Sequence, residues 1–156
     1  MNIFVLDLNH TKCAQYQFDR HAVKMILETC QILCSVHHTT GTSVTIPYKK
    51  THVNHPCVIW TRSSIQNYHW LLKLGFAQSV EYTHRYGKIH KCHEVLKWCE
   101  QNVPTLPDIG LTPFVQCMDE QFKDVDTVTA YRNLYRLGKS HLASWKNRST
   151  PSWFTN

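Results

Sequence analysis

Near the start of the chain, in DRHAVKMILE and the residues that follow, His21, Lys24, Glu28, Gln31 and Ser35 recur at helical spacing. At about 100° per residue they fall in one row along a helix. Taken alone, Lys24 and Glu28 are an i, i+4 pair of the kind found on solvated faces, worth a few tenths of a kcal/mol. His21 and Gln31 on the same side change the reading. A carboxylate, an amine, an imidazole and an amide in one row suit the wall of a cleft better than open water, and Glu28 is the first candidate for chemistry.

Two further groupings follow. In THVNHPCVIW, His52, Asn54 and His55 gather just before Pro56, which biases His55 away from helical backbone and stiffens the turn. Such a turn offers hydrogen-bond donors to a phosphate or a base. Basic side chains collect in the middle of the chain, with Arg62, Arg85, Lys88, His90, Lys91 and Lys97. They collect again near the end, where Arg132, Arg136, Lys139, Lys146 and Arg148 interleave with Tyr131, Tyr135, Trp145, Trp153 and Phe154. Cations follow a phosphate backbone and rings stack on displaced bases, so Lys146, Arg148, Trp153 and Phe154 suggest a nucleic-acid edge.

The elements that must carry these residues are helical. Residues 2–8 are expected as a short extended segment. Asn9 or Thr11 then caps a helix starting at Lys12, and 12–38 is either one bent helix or a short helix followed by a long one. Ala22, Val23, Ile26, Leu27, Cys30, Leu33 and Cys34 make its core-facing stripe, with the polar row beside it. Residues 39–61 have no helical period and are expected as a long loop, with a short extended piece at Ser43–Ile46. A second long helix covers about 62–86, with Val80 among its apolar members, and Gly87 breaks it. A third spans about 88–101. Three prolines and a glycine make 103–118 a loop, and Asp126 caps a final helix over about 127–145. The fold class is mainly α: one compact domain over 1–156, with about four helices and two long irregular loops.

Composition agrees. A 42% hydrophobic share with 18% charged residues is too apolar for disorder. No apolar run approaches a membrane span, and MNIFVLDLNH lacks the basic start of a signal peptide, so a cytoplasmic protein is expected. Seven cysteines, an odd number with no C-x-x-C, fit reduced thiols used as small hydrophobes. Cys30, Cys34 and His37 share a face, but the cysteines fall on the apolar stripe, and the cluster His90, Cys92 and His93 is expected in a basic, exposed helix. Zinc sites also recruit ligands from separate elements, so no metal and no cofactor are expected. A net charge of +6 favours a polyanionic partner.

In order, DRHAVKMILE, HVNHPCVIW, SVEYTHRYGK and RSTPSWF resemble the pyrimidine-dimer DNA glycosylase family of endonuclease V type. That family is compact and helical, with a catalytic Glu on an N-terminal helix, an N-H-P-like turn, a long helix ending in an R-G-Y/F-like break and a basic aromatic C-terminus. The resemblance implies a base-excision enzyme that flips a nucleotide from double-stranded DNA. An amine then attacks the sugar C1′ and the base is released, often with strand cleavage by β-elimination through a Schiff base. On the matching positions Glu28 would stabilise the sugar cation and move protons, while His21 and Arg20 would contact DNA or the sugar. Gln31, His52, Asn54, His55, Arg62, Arg85 and Lys88 would complete the substrate-binding surface. The family's nucleophile is the α-amine left when Met is removed before a small residue. Here Asn2 follows Met1, so the amine of Met1 serves, or Lys24 supplies one if its pKa is depressed, or no Schiff base forms. Two other readings stay open: an enzyme acting on nucleotides or modified bases, and a non-catalytic module that binds nucleic acid or nucleotides.

Overall fold

The computed structural model describes residues 1–155, and among them there is no strand. Seven α-helices follow in order: α1 His10–Gln15, α2 Asp19–His37, α3 Pro56–Ser63, α4 Ile65–Tyr86, α5 His93–Gln101, α6 Thr127–Asn133 and α7 Ser152–Thr155. The fold is mainly α, and α2 packed on α4 is its spine. No helix among the described residues is long and apolar enough to cross a membrane.

Local chemistry sets the boundaries. Asn9 caps α1 through Lys12 N–H, and the chain turns before Asp19 opens α2, so 12–38 is a short helix followed by a long one. The loop expected over 39–61 ends at His55, because Pro56 takes the first turn of α3, where its missing N–H costs nothing. His55 Nδ1 accepts from Cys57 N–H and caps that helix. Ser64 caps α4, and Gly87, at φ 68, ends it with its N–H on Thr83 O. Residues 88–92 form a turn, so the third expected helix begins only at His93. Asp126 caps α6 through Thr129 N–H, but the helix stops at Asn133 and widens into a π-type turn over Leu134–Gly138 instead of running to 145. No strand forms at 43–46.

The buried stripe of α2 also differs from the expected one. Val23 and Leu27 are exposed, whereas Met25, Ile26, Thr29, Cys30 and Leu33 are buried, and Val80 of α4 is exposed too. The polar row turns inward in part: His21, Glu28 and Ser35 are buried. Ser35 is covered by the loop at Thr51, to whose carbonyl it donates; for His21 and Glu28 the cause is the N-terminal segment. Ile3, Phe4, Val5 and Leu6 are all buried, and the segment runs antiparallel to α2. Phe4 stacks on His21 at 4.6 Å, and Asn2 N–H reaches Glu28 two turns further along the helix. From the other side Arg132 Nε donates to Leu6 O and Tyr131 hydroxyl to Asn2 Oδ1, so α6 holds the segment in place.

A buried ionic cluster joins both chain ends to α4. Arg85 is 2% exposed; it donates to Glu81 and Asp19 carboxylates and to the carbonyls of Gln15 and Gln17. Glu81 also accepts from Arg148 Nε and Nη2. Asp19 accepts from Lys146 N–H and Ser144 hydroxyl, tying the tail to the start of α2.

Candidate active site

Glu28 lines a cleft of about 340 Å³ whose walls also include Met1, Asn2, Phe4, His21, Lys24, Asp119 and Lys139. Its side chain is 10% exposed, with two amines and one amide against it. The α-amine of Met1 is 3.7 Å from Oε2, Asn2 N–H donates to Oε2 at 3.0 Å, and Lys24 Nζ is 3.3 Å from Oε1. The two amines differ in setting. The Lys24 side chain is 64% exposed and free to swing, while that of Met1 is 5% exposed.

Asn2, which sequence comparison marks as a departure, proves to be the bracket that fixes the first amine. Its Nδ2 donates to Cys117 O at 2.9 Å, and its Oδ1 accepts from Ile3 N–H and Tyr131 hydroxyl. Two groups donate to the side-chain oxygen, so the residue cannot rotate without losing several bonds at once. Because Asn2 nitrogen itself touches Glu28, an amine at position 1 or at position 2 would face the same carboxylate.

His21 pairs with Tyr135 hydroxyl at 2.5 Å and is stacked between Phe4 and the tilted Phe18 ring. Burial, then the charges of Lys139, Lys24 and Arg20, pushes its pKa down to about 4, so it is a neutral imidazole at neutral pH. His55 is partly buried, and its pKa is lowered by burial first, then by the charge of the α-amine and by His52, against an upward pull from Glu28. It therefore stands near the amine, although its Nδ1 is engaged in capping α3. Around the cleft, the Met1 amine, Lys24 and Lys139 outnumber Glu28 and Asp119, leaving a positive balance suited to a phosphate-bearing ligand.

Other candidates lie elsewhere. Asn54 and Arg62 line a separate depression beyond α3, where Arg62 Nη1 donates to Val53 O at 2.7 Å. His52 is exposed at φ 45. Gln31 is half-buried on α2, and Lys88 is exposed in a third depression with Tyr82 and His90. The expectation of Arg85 as a substrate contact is corrected: its whole guanidinium is spent on Glu81, Asp19 and backbone carbonyls inside the fold. The aromatic tail is half-buried: Trp153 packs on Tyr16 and Tyr135 beneath Arg132, and Phe154 packs on Phe18 and Trp145, so part of each ring's surface is spent on the core. Arg148 is held by Glu81, leaving Lys146 as the exposed cation of that group.

Sequence reasoning missed Asn2, Tyr135, Lys139 and Asp119 as parts of this site. Asn2 meets Cys117 and Tyr131, Tyr135 meets His21, and Lys139 lies over Phe4 across more than a hundred positions, and no local spacing signals such contacts.

The amino-acid sequence is matched by a DNA-repair family. The family model of the pyrimidine dimer DNA glycosylases matches residues 1–94, and the chain belongs to that family. No curated protein and no solved structure matches. The matched part carries Met1, His21, Lys24, Glu28 and His55; Asp119, Tyr135 and Lys139 lie beyond it. Family membership implies a DNA substrate.

Proposed function

We propose that this chain, acting as one domain over residues 1–156, is a base-excision N-glycosylase with an associated lyase step on damaged DNA. The observation that carries the reading is the Met1 amine held 3.7 Å from the buried Glu28 carboxylate in a cleft of about 340 Å³. That volume is at the small end of ligand sites and suits a single extruded nucleotide.

The terminal amine is the better nucleophile of the two. As a class, α-amines lose their proton about two to three pH units below lysines, and so offer far more neutral nitrogen near pH 7–8. The Met1 amine is also fixed by its neighbour Asn2, whereas Lys24 is exposed. In the proposed sequence the glycosidic bond breaks as positive charge develops on the sugar, and Glu28 stabilises that charge across a short distance. The amine nitrogen bonds to C1′ and the departing base takes a proton. Glu28 accepts the proton that the amine gives up. The C1′–O4′ bond then breaks, O4′ takes the proton held by Glu28, and the nitrogen lone pair forms the C1′=N iminium; the Glu28 carboxylate, free again, removes a C2′ proton and the 3′ phosphate leaves by β-elimination. Neutral His21, locked between Phe4 and Tyr135, positions the sugar, while Lys24, Lys139 and Arg20 attract the flanking phosphates.

The test is strand cleavage of a duplex carrying one cyclobutane pyrimidine dimer, beside the undamaged duplex and free nucleotides. Cleavage at the lesion alone is expected. Turnover of free nucleotides with none on the duplex would replace this reading with that of a nucleotide-processing enzyme.

A further inference from the structure

One cluster of chemistry-bearing side chains is left over by the proposed reaction. His55, Cys57 and Cys117 each bring a ligand atom to within 4.8 Å of the other two. His55 and Cys57 come from the cap and first turn of α3 and Cys117 from the loop before α6, so two separate elements supply the ligands. The two sulfurs are 3.6 Å apart. A tetrahedral zinc ion with Zn–S bonds of about 2.3 Å sets its sulfurs about 3.8 Å apart, so the pair needs almost no movement.

We propose that His55, Cys57 and Cys117 form a binding site for a zinc-class divalent ion, with its fourth position facing the first two residues of the chain. Asn2 Oδ1 is 4.0 Å from Cys57 Sγ on that side. Cys57 is buried and Cys117 half-buried, which leaves an approach from the loop side. His55 would exchange its cap bond to Cys57 N–H for a bond to the metal, a small loss beside three metal–ligand bonds. Since Cys117 O holds Asn2 and Cys117 itself lines the cleft with Met118 and Asp119, an ion here would clip the N-terminal segment, α3 and one cleft wall together.

The remaining cysteines give an internal control. Cys30 and Cys92 are buried between α2 and the start of α5, away from this cluster. The experiment is titration of the full chain with Co²⁺ under a phosphine reductant, followed by displacement with Zn²⁺. The expected result is a sulfur-to-cobalt charge-transfer band with four-coordinate d–d bands, saturating at one equivalent. Cys117→Ser and His55→Ser should abolish it while Cys30→Ser keeps it. Serine retains the helix cap at position 55, and position 117 is in a loop, so both variants are expected to fold. Zn²⁺ should raise the melting temperature of the parent chain and leave those two variants unmoved. Absence of the charge-transfer band overturns the proposal, as does a band that survives both substitutions or vanishes with Cys30→Ser. None of these readouts depends on glycosylase activity.

Discussion

Replacing Glu28 by Gln removes one charge and almost nothing else. The amide oxygen can still accept from Asn2 N–H; two pairs are lost, the one with exposed Lys24 and the 3.7 Å one with the Met1 amine, together worth about 1 kcal/mol. The fold should therefore survive, with the melting temperature lowered by no more than about 4 °C. Catalysis should not survive so well. A unit negative charge about 4 Å from a developing positive one contributes about 4 kcal/mol at the effective dielectric of a partly buried site, and Glu28 is 8% exposed. Allowing for the residual dipole of the amide, about 3–4 kcal/mol of transition-state stabilisation disappears, a fall of about 10²–10³-fold in rate. Single-turnover base release on a dimer-containing duplex, at saturating protein, measures that fall directly. A Glu28→Gln protein that releases base within about threefold of the parent rate would show that the carboxylate faces no developing charge, and the proposed chemistry would be wrong.

Three other outcomes follow from the same geometry. Lys24→Ala should keep base release within about tenfold, because the lysine is exposed and contributes through a screened field rather than a bond to the sugar; a complete loss would transfer the nucleophile to Lys24. His21 and His37 both have pKa values lowered to about 4, chiefly by burial, with Lys139, Lys24 and Arg20 adding at His21 and His38 at His37. The unfolded chain therefore binds these protons first, so stability should fall as pH drops from about 6.5 to about 4, by up to about 3 kcal/mol per residue. Thermal melts across that range should steepen accordingly, and His21→Gln should flatten part of the slope; an unchanged slope would contradict it. Arg85→Gln should cost about 3–5 kcal/mol in chemical denaturation by leaving Glu81 and Asp19 short of a buried partner, whereas Lys88→Gln should cost almost nothing because Lys88 is exposed.

Glu28 was legible because a helix keeps its residues in register: once DRHAVKMILE is helical, the row from His21 to Ser35 follows. What covers that row was not legible, since the segment containing Asn2 and Phe4 reaches it through contacts with no local period. The same blindness explains Arg85. Read along the chain it belongs with Lys88 and Lys91, yet beside Glu81, one turn back on α4, its partners are Asp19 and two carbonyls near residue 16, about seventy positions away. Val23 and Leu27 were assigned inward because the apolar stripe of α2 is wide; packing against α4 selects the Ile26 and Leu33 side of it. Boundaries shifted where a side chain took over a backbone bond, as His55 does at the start of α3. The cysteine pair of positions 57 and 117 was invisible for the same reason as Asn2: its spacing carries meaning only once the loop has folded back.

The central claim is that the α-amine beside Glu28 is the group that bonds to the sugar. Borohydride reduction during reaction with a dimer-containing duplex, followed by proteolysis and mass mapping of the cross-linked peptide, tests it most directly. The account predicts a covalent adduct on the first residue of the chain, unaffected by Lys24→Ala and abolished by acetylation of the terminal amine. An adduct mapped to Lys24, or none formed while base is still released, would contradict it.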